Sequence, residues 1–184
     1  MALNSIFETA ASQLWQEGRT ILPGITKSVY FIRRMDIVAW PVFKFGRFEG
    51  SFTLAEGKKW KQLDVKVDKS PVSCEAQGEI PSKTYLSKAT FVHPLAEEEA
   101  AEFAQRANND IYIYIIQTKN RKFRIIGHEF FDTDTRVSTA LGAAVTDESG
   151  TTVEVQCTTE APAPFYSGSI ITDSGDVNPP PASE

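Results

Sequence analysis

Residues 111–116 read Ile-Tyr-Ile-Tyr-Ile-Ile, six consecutive apolar positions that alternate β-branched and aromatic side chains. A strand with one face in water would alternate apolar with polar. This run is apolar on both faces and is therefore expected to be a central strand. The segments before and after it carry the same β signature. Val29-Tyr30-Phe31-Ile32 is a short β-rich run, and Phe43, Phe45, Phe48, Phe52 and Leu54 mark pieces of near-alternating polarity broken by Gly46 and Gly50. Leu63, Val65 and Val67 alternate strictly, Asp68 to Pro71 reads as a turn, and Val72–Ala76 and Tyr85–Val92 follow as strands. Beyond the central strand, Thr118–Lys122 is a polar turn with a return strand from Phe123 to Phe131. A second hairpin pairs Val137–Val145 with Thr151–Thr158, and a last strand covers Tyr166 to Ile171. Short strands with turn signals every few residues are the pattern of a sandwich or barrel.

One helix interrupts the strands. Ala96, Ala100, Phe103, Ala104 and Ala107 form one stripe, Glu97, Glu98, Glu99 and Glu102 crowd its positive end, and Asn108-Asn109 ends it. His93 or a neighbour is expected to cap it, with Pro94 in its first turn. The expected fold is mainly β (α+β), an antiparallel β-sandwich or barrel with one packed α-helix at about 94–108. Three parts are expected. Residues 1–21 form an amphipathic N-terminal helix or arm carrying Ile6, Phe7, Ala10, Leu14 and Trp15. Residues 22–172 form the β domain, and 173–184, with Pro179-Pro180-Pro181, an extended or disordered tail.

Composition narrows the function classes. The 184-residue chain has a net charge of −5, which argues against coating nucleic acid electrostatically. The charge is uneven: +4 over residues 1–92 and −9 over residues 93–184. Either both halves share one solvated surface, or the molecule has a basic and an acidic side suited to head-to-tail association with its own copies. No run of 18 apolar residues is present, so no membrane span is expected, and the first 18 residues lack the basic and apolar regions of a secretory signal. Cys74 and Cys157 are too few for a disulfide scaffold and are expected as reduced thiols.

Signs of catalysis are sparse. The only histidines are His93 and His128, and neither forms with a cysteine the close pair that zinc sites use. Nothing flanking either cysteine signals an activated thiolate. Gly57-Lys58-Lys59 lacks the upstream glycine and following Ser or Thr of a phosphate loop. Asp132-Thr133-Asp134 lacks the later glycine and glutamate of a calcium loop. The expectation is a protein that is not an enzyme and uses no metal or cofactor. Two basic clusters remain, Lys58, Lys59, Lys61, Lys66 and Lys69 along one strand, and Lys119, Arg121, Lys122 and Arg124 at a hairpin tip. They are either solvated strand edges guarded by lysine or contacts for an acidic surface, a neighbouring copy included.

The order of features is similar to that of the tail-tube and tail-ring structural proteins of tailed bacteriophages, particularly the crAss-like phages of gut Bacteroidota. The resemblance runs through LPGITKSVYFI at 22–32, FEGSFTLAEGKKWKQL at 48–63, and the helix LAEEEAAEFAQRANND with its strand at 95–116. It continues in RIIGHEFF at 124–131, GAAVTDESGTTVEVQC at 142–157 and APAPFYSGSI at 161–170. It implies a virion subunit, made in the host cytoplasm, that assembles into six- or twelve-fold rings. Those rings would stack on portal, adapter or other tail proteins and pass DNA without reading its sequence. It transfers no catalytic residue. The inter-subunit candidates are Lys58, Lys59, Lys61, Arg121, Lys122 and Arg124, with Phe7 and Trp15 of the N-terminal arm. The alternative is a β-sandwich binding module, carbohydrate-contacting or adhesin-like, which would need an exposed aromatic platform from Trp40, Tyr112 or Tyr114.

Overall fold

The computed structural model describes Leu14, residues 17–18, residues 20–143 and residues 149–178. Ile6, Phe7, Ala10 and Trp15 of the expected N-terminal helix lie outside the described residues, as do most of the turn between the last long strands and Pro179-Pro180-Pro181.

Across its described residues the chain folds as a β-sandwich with one helix. It opens with β1 (Ile25–Arg33), followed by the short strands β2 (Ile37–Ala39), β3 (Val42–Lys44), β4 (Arg47–Glu49) and β5 (Thr53–Leu54). Then come β6 (Lys61–Asp64), β7 (Val72–Gln77), β8 (Thr84–His93) and the helix α1 (Glu98–Ala107). The second half holds β9 (Tyr112–Thr118), β10 (Phe123–Ile126), β11 (Asp134–Ala140) and β12 (Gly150–Thr159). The chain ends in β13 (Phe165–Tyr166), β14 (Ile171–Thr172) and β15 (Gly175–Asp176). Of the two main sheets, one has seven strands in the order β3-β4-β13-β10-β9-β1-β6 and the other four in the order β11-β12-β8-β7, while β2–β5 and β14–β15 form two-stranded sheets of their own.

The apolar run identified in the sequence is β9, between β10 and β1. Because side chains alternate along a strand, Tyr112, Tyr114 and Ile116 point to one core while Ile113 and Ile115 point to another. The first core lies between the two sheets, where Val29, Tyr114 and Ile126 meet Phe91, Val153 and Val155. The second lies behind the seven-stranded sheet, where Ile113, Ile115 and Ile125 are covered by Phe48, Phe52, Trp60, Tyr166 and Ile170. Phe52 is the hub of that cover, with ring centroids 5.1 Å from Trp40 and 5.4 Å from both Trp60 and Tyr166. Helix α1 closes one end of the first core: Phe103 packs 4.8 Å from Phe31 and 5.9 Å from Tyr112, and Ala107 is buried.

Several boundaries differ from expectation. His93 does not cap the helix. It ends β8 opposite Thr151, its Nδ1 lies 2.7 Å from the Asp64 carbonyl, and the following proline holds it extended. The helix therefore starts at Glu98 behind an N-cap at Glu97. Val67 sits in a 3-10 turn (Val67–Lys69) and not on a strand. The chain leaves the seven-stranded sheet after Asp64 to reach β8, with Lys66 N–H donating to the Val92 carbonyl at 2.7 Å. The return strand β10 stops at Ile126; the next residue, Gly127, takes φ +149°, where a Cβ would collide with Ile113. The expected last strand is split at Gly168, where a side chain would run into the Gly50 carbonyl as two backbones cross. Residues 173–178, expected in the tail, instead close the β14–β15 hairpin. Asp176 Oδ1 accepts the N–H groups of both Ile170 and Asn178 at 3.0 Å there.

Candidate assembly surfaces

Lys58 and Lys59 lie in the loop after β5 and Lys61 opens β6. Two carboxylates far away in sequence meet them. Lys61 Nζ is 2.7 Å and Lys59 Nζ 3.7 Å from Asp173, and Lys58 Nζ is 3.6 Å from Asp36. Lys61, followed by Lys59, holds the Asp173 carboxyl below the usual carboxylate range. The three lysines line a pocket shared with Arg33, Arg106, Phe31 and Tyr112. Lys66 and Lys69 are carried away from this cluster by the departure of the chain toward β8.

The second basic cluster divides. Arg121 takes a positive φ (61°) in the tight β9–β10 turn, and it and Lys122 are exposed. Arg124 is committed within the chain: its guanidinium stacks 4.1 Å over the Phe165 ring and donates to the carbonyls of Pro162 and Ala163 at 3.0 and 3.2 Å. That contact holds β13 beside β10. Phe7 and Trp15 are outside the described residues.

The rims of the four-stranded sheet are unlike each other. On β11, Val137 turns its N–H and C=O away from β12, and the side chain of Asn108, the residue capping α1, takes both. Its Oδ1 accepts from Val137 N–H at 2.7 Å and its Nδ2 donates to the Val137 carbonyl at 3.1 Å. On β7, Thr90 N–H bonds the Pro71 carbonyl at 3.0 Å. The antiparallel alternation then leaves the backbone groups of Val72, Cys74 and Ala76 facing outward. Among the described residues no strand or side chain takes them.

The histidines and cysteines are dispersed. His128 Nδ1 accepts from Phe130 N–H at 3.0 Å, and burial pushes its pKa below the ordinary value, with Glu160, 3.8 Å from Nε2, opposing. Cys157 is buried, which pushes its thiol up to about 11. Cys74 Sγ lies 3.4 Å from the Ser87 hydroxyl across the β7–β8 pair. Asp134 pairs with Arg136 at 3.1 Å and Asp132 with Arg34. No group of three or more His, Cys, Asp or Glu able to hold a metal ion occurs among the described residues, and no helix among them is long and apolar enough to cross a membrane.

Tyr112 and Tyr114 are buried, 4% and 0% exposed, so neither forms a platform. Trp40 is half-buried and lines a groove with Phe43, Phe130, Glu129 and Glu160. Sequence reasoning missed Asp36, Asp173 and Asn108, whose partners are set by tertiary contacts across tens of residues. Comparison with known protein families, curated proteins and solved structures gives no match to this chain.

Proposed function

We propose that this chain is a virion structural subunit of a phage tail. It self-associates into a ring or tube section through which DNA passes, stacked on portal or adapter proteins and on other tail proteins. The observation that carries this reading is the difference in charge between the two ends of α1. A pocket rimmed by Lys58, Lys59, Lys61, Arg33 and Arg106 lies at one end of α1, and the exposed carboxylates Glu97, Glu98 and Glu99 lie at the other. Two unlike patches on one subunit suit a heterologous contact, the kind that closes into rings. The resemblance to tail-ring subunits supports the same assignment, and the net negative charge suits a channel along which DNA slides.

The test is the mass of the purified chain by size-exclusion chromatography with light scattering at rising concentration, with negative-stain imaging of the main peak. Rings or stacked tubes are the expected outcome, and a strict monomer at every concentration overturns the reading. A second reading rests on one groove. Trp40, Phe43 and Phe130 beside Glu129 and Glu160 resemble a sugar-stacking platform. Glycan binding by a monomeric chain selects it.

A further inference from the structure

The pocket at the C-terminal end of α1 is about 350 Å³, with Phe31 and Tyr112 in its lining. Five cations line it, and the chain supplies four carboxylates to them. Arg33 is held by Asp110 at 2.5 Å and Arg106 by Glu102 at 2.6 Å, both carboxylates lying outside the lining. Lys58 faces Asp36, while Lys59 and Lys61 share Asp173. One positive charge is left over. The Lys58 and Lys59 ammonium groups, at 3.6 and 3.7 Å, also stand beyond hydrogen-bond distance of their carboxylates, whereas Lys61 is fully engaged at 2.7 Å. Both loosely held lysines are about half exposed, with side chains 51% and 46% accessible.

The first turn of α1 has the opposite character. Glu97, Glu98 and Glu99 are exposed, and no ion pair among the described residues engages them. Just ahead of them Leu95 is 49% exposed, a large apolar side chain left in water. A helix rises about 1.5 Å per residue, so roughly 13 Å separates this turn from Arg106 at the pocket, and the chain cannot fill its pocket with its own helix.

Resting on the ring reading, we propose that the pocket receives the Leu95–Glu99 turn of a second copy. Leu95 lies on the aromatic side of the pocket, and the Glu98 and Glu99 carboxylates take the Lys58 and Lys59 ammonium groups. The apolar group and the acids of the turn match in kind the aromatic lining and the loosely held lysines of the pocket. Each copy offers the turn at one end of α1 and the pocket at the other, so the contact runs head to tail.

The experiment is charge reversal in the full chain, read by light-scattering mass against concentration, with each variant's thermal melt as the check on folding. Glu98→Lys with Glu99→Lys, on an exposed turn, and Lys58→Glu with Lys59→Glu should each raise the dissociation constant about tenfold or more. The chain carrying all four reversals should recover to within about threefold of the original. If the lysine reversals fail to fold, Lys58→Gln with Lys59→Gln takes their place, with a smaller weakening expected. Rings that persist in both reversed chains overturn this contact and leave the ring reading standing. So does weakening in both without recovery in the four-fold variant. A native chain that stays monomeric at every concentration overturns the ring reading and this contact together.

Discussion

In the seven-stranded sheet, β9 buries every side chain from Tyr112 to Ile116. In the four-stranded sheet, β12 buries Val153, Val155 and Cys157 and turns Glu154 and Gln156 outward. The strands have the same geometry and differ in what covers them. The larger sheet is sandwiched between the smaller one and an aromatic layer built around Phe52, so its middle strand meets no water on either face. The smaller sheet has only one partner, and its outer face is mostly polar, with Arg136, Glu154, Gln156, Lys88 and Thr90 beside half-buried Leu86 and Val92. Covered sheets tolerate almost no polar substitution, and half-covered sheets carry the surface chemistry.

The sharpest way to break that contrast is to truncate one residue on each strand. Ile115→Ala, at a fully buried position, should lower unfolding stability by about 4 kcal/mol, whereas Thr152→Ala on the outer side of β12 should change it by no more than about 0.5 kcal/mol. Equal losses in urea titrations would contradict the two-layer cover. Next in size, Phe103→Ala should cost about 3 kcal/mol by removing the ring that docks α1 on Phe31 and Tyr112. A loss below about 1 kcal/mol would mean that the helix is not anchored there. Asn108→Ala should cost about 1–2 kcal/mol, because two hydrogen bonds to Val137 go at once. Hydrogen exchange at the Val137 amide should speed up while that at Val153 stays slow, and unchanged exchange at Val137 would remove the rim function assigned to Asn108.

The smallest expected effect sharpens the contrast through pH. Cys157 is buried between the sheets, and its thiol is raised from 9.0 to about 11. A raised folded pKa means that the folded chain keeps a proton the unfolded chain has already released. The contribution is intact below pH 9 and is lost as pH rises toward 11. By pH 10 the loss attributable to Cys157 should be about 1 kcal/mol. Cys157→Ala should flatten that part of the alkaline slope relative to the unsubstituted chain. Identical slopes in the two chains would place the thiol in water.

Legibility in the sequence followed the range of the interactions. The run at 111–116 disclosed a central strand because its period is local, and the alanine stripe disclosed a helix for the same reason. The strands β3, β4 and β13 are two or three residues long and exist because Gly46 turns the hairpin, Gly168 lets two backbones cross, and Arg124 stacks on Phe165. No window of neighbouring residues contains that information. The basic cluster was visible as lysines, but its counter-ions were not, since Asp36 and Asp173 reach it only through the folding back of residues 171–176 and the turn after β1. His93 was misplaced at a helix start because a proline follows it, although the same proline favours the extended backbone that ends β8.

The unlike rims of the four-stranded sheet carry a consequence for how copies can accumulate. Growth by adding strand to strand needs two receptive borders, one to accept and one to offer onward. Here Asn108 takes the outward backbone groups of Val137 in the middle of the β11 border, whereas among the described residues nothing takes those of Val72, Cys74 and Ala76 on β7, so pairing through this sheet is obstructed on one border and open on the other. A half-plugged sheet thus works against fibrous stacking. A chain kept at high local concentration can keep its backbone hydrogen bonds to itself and let side chains decide which neighbours it accepts.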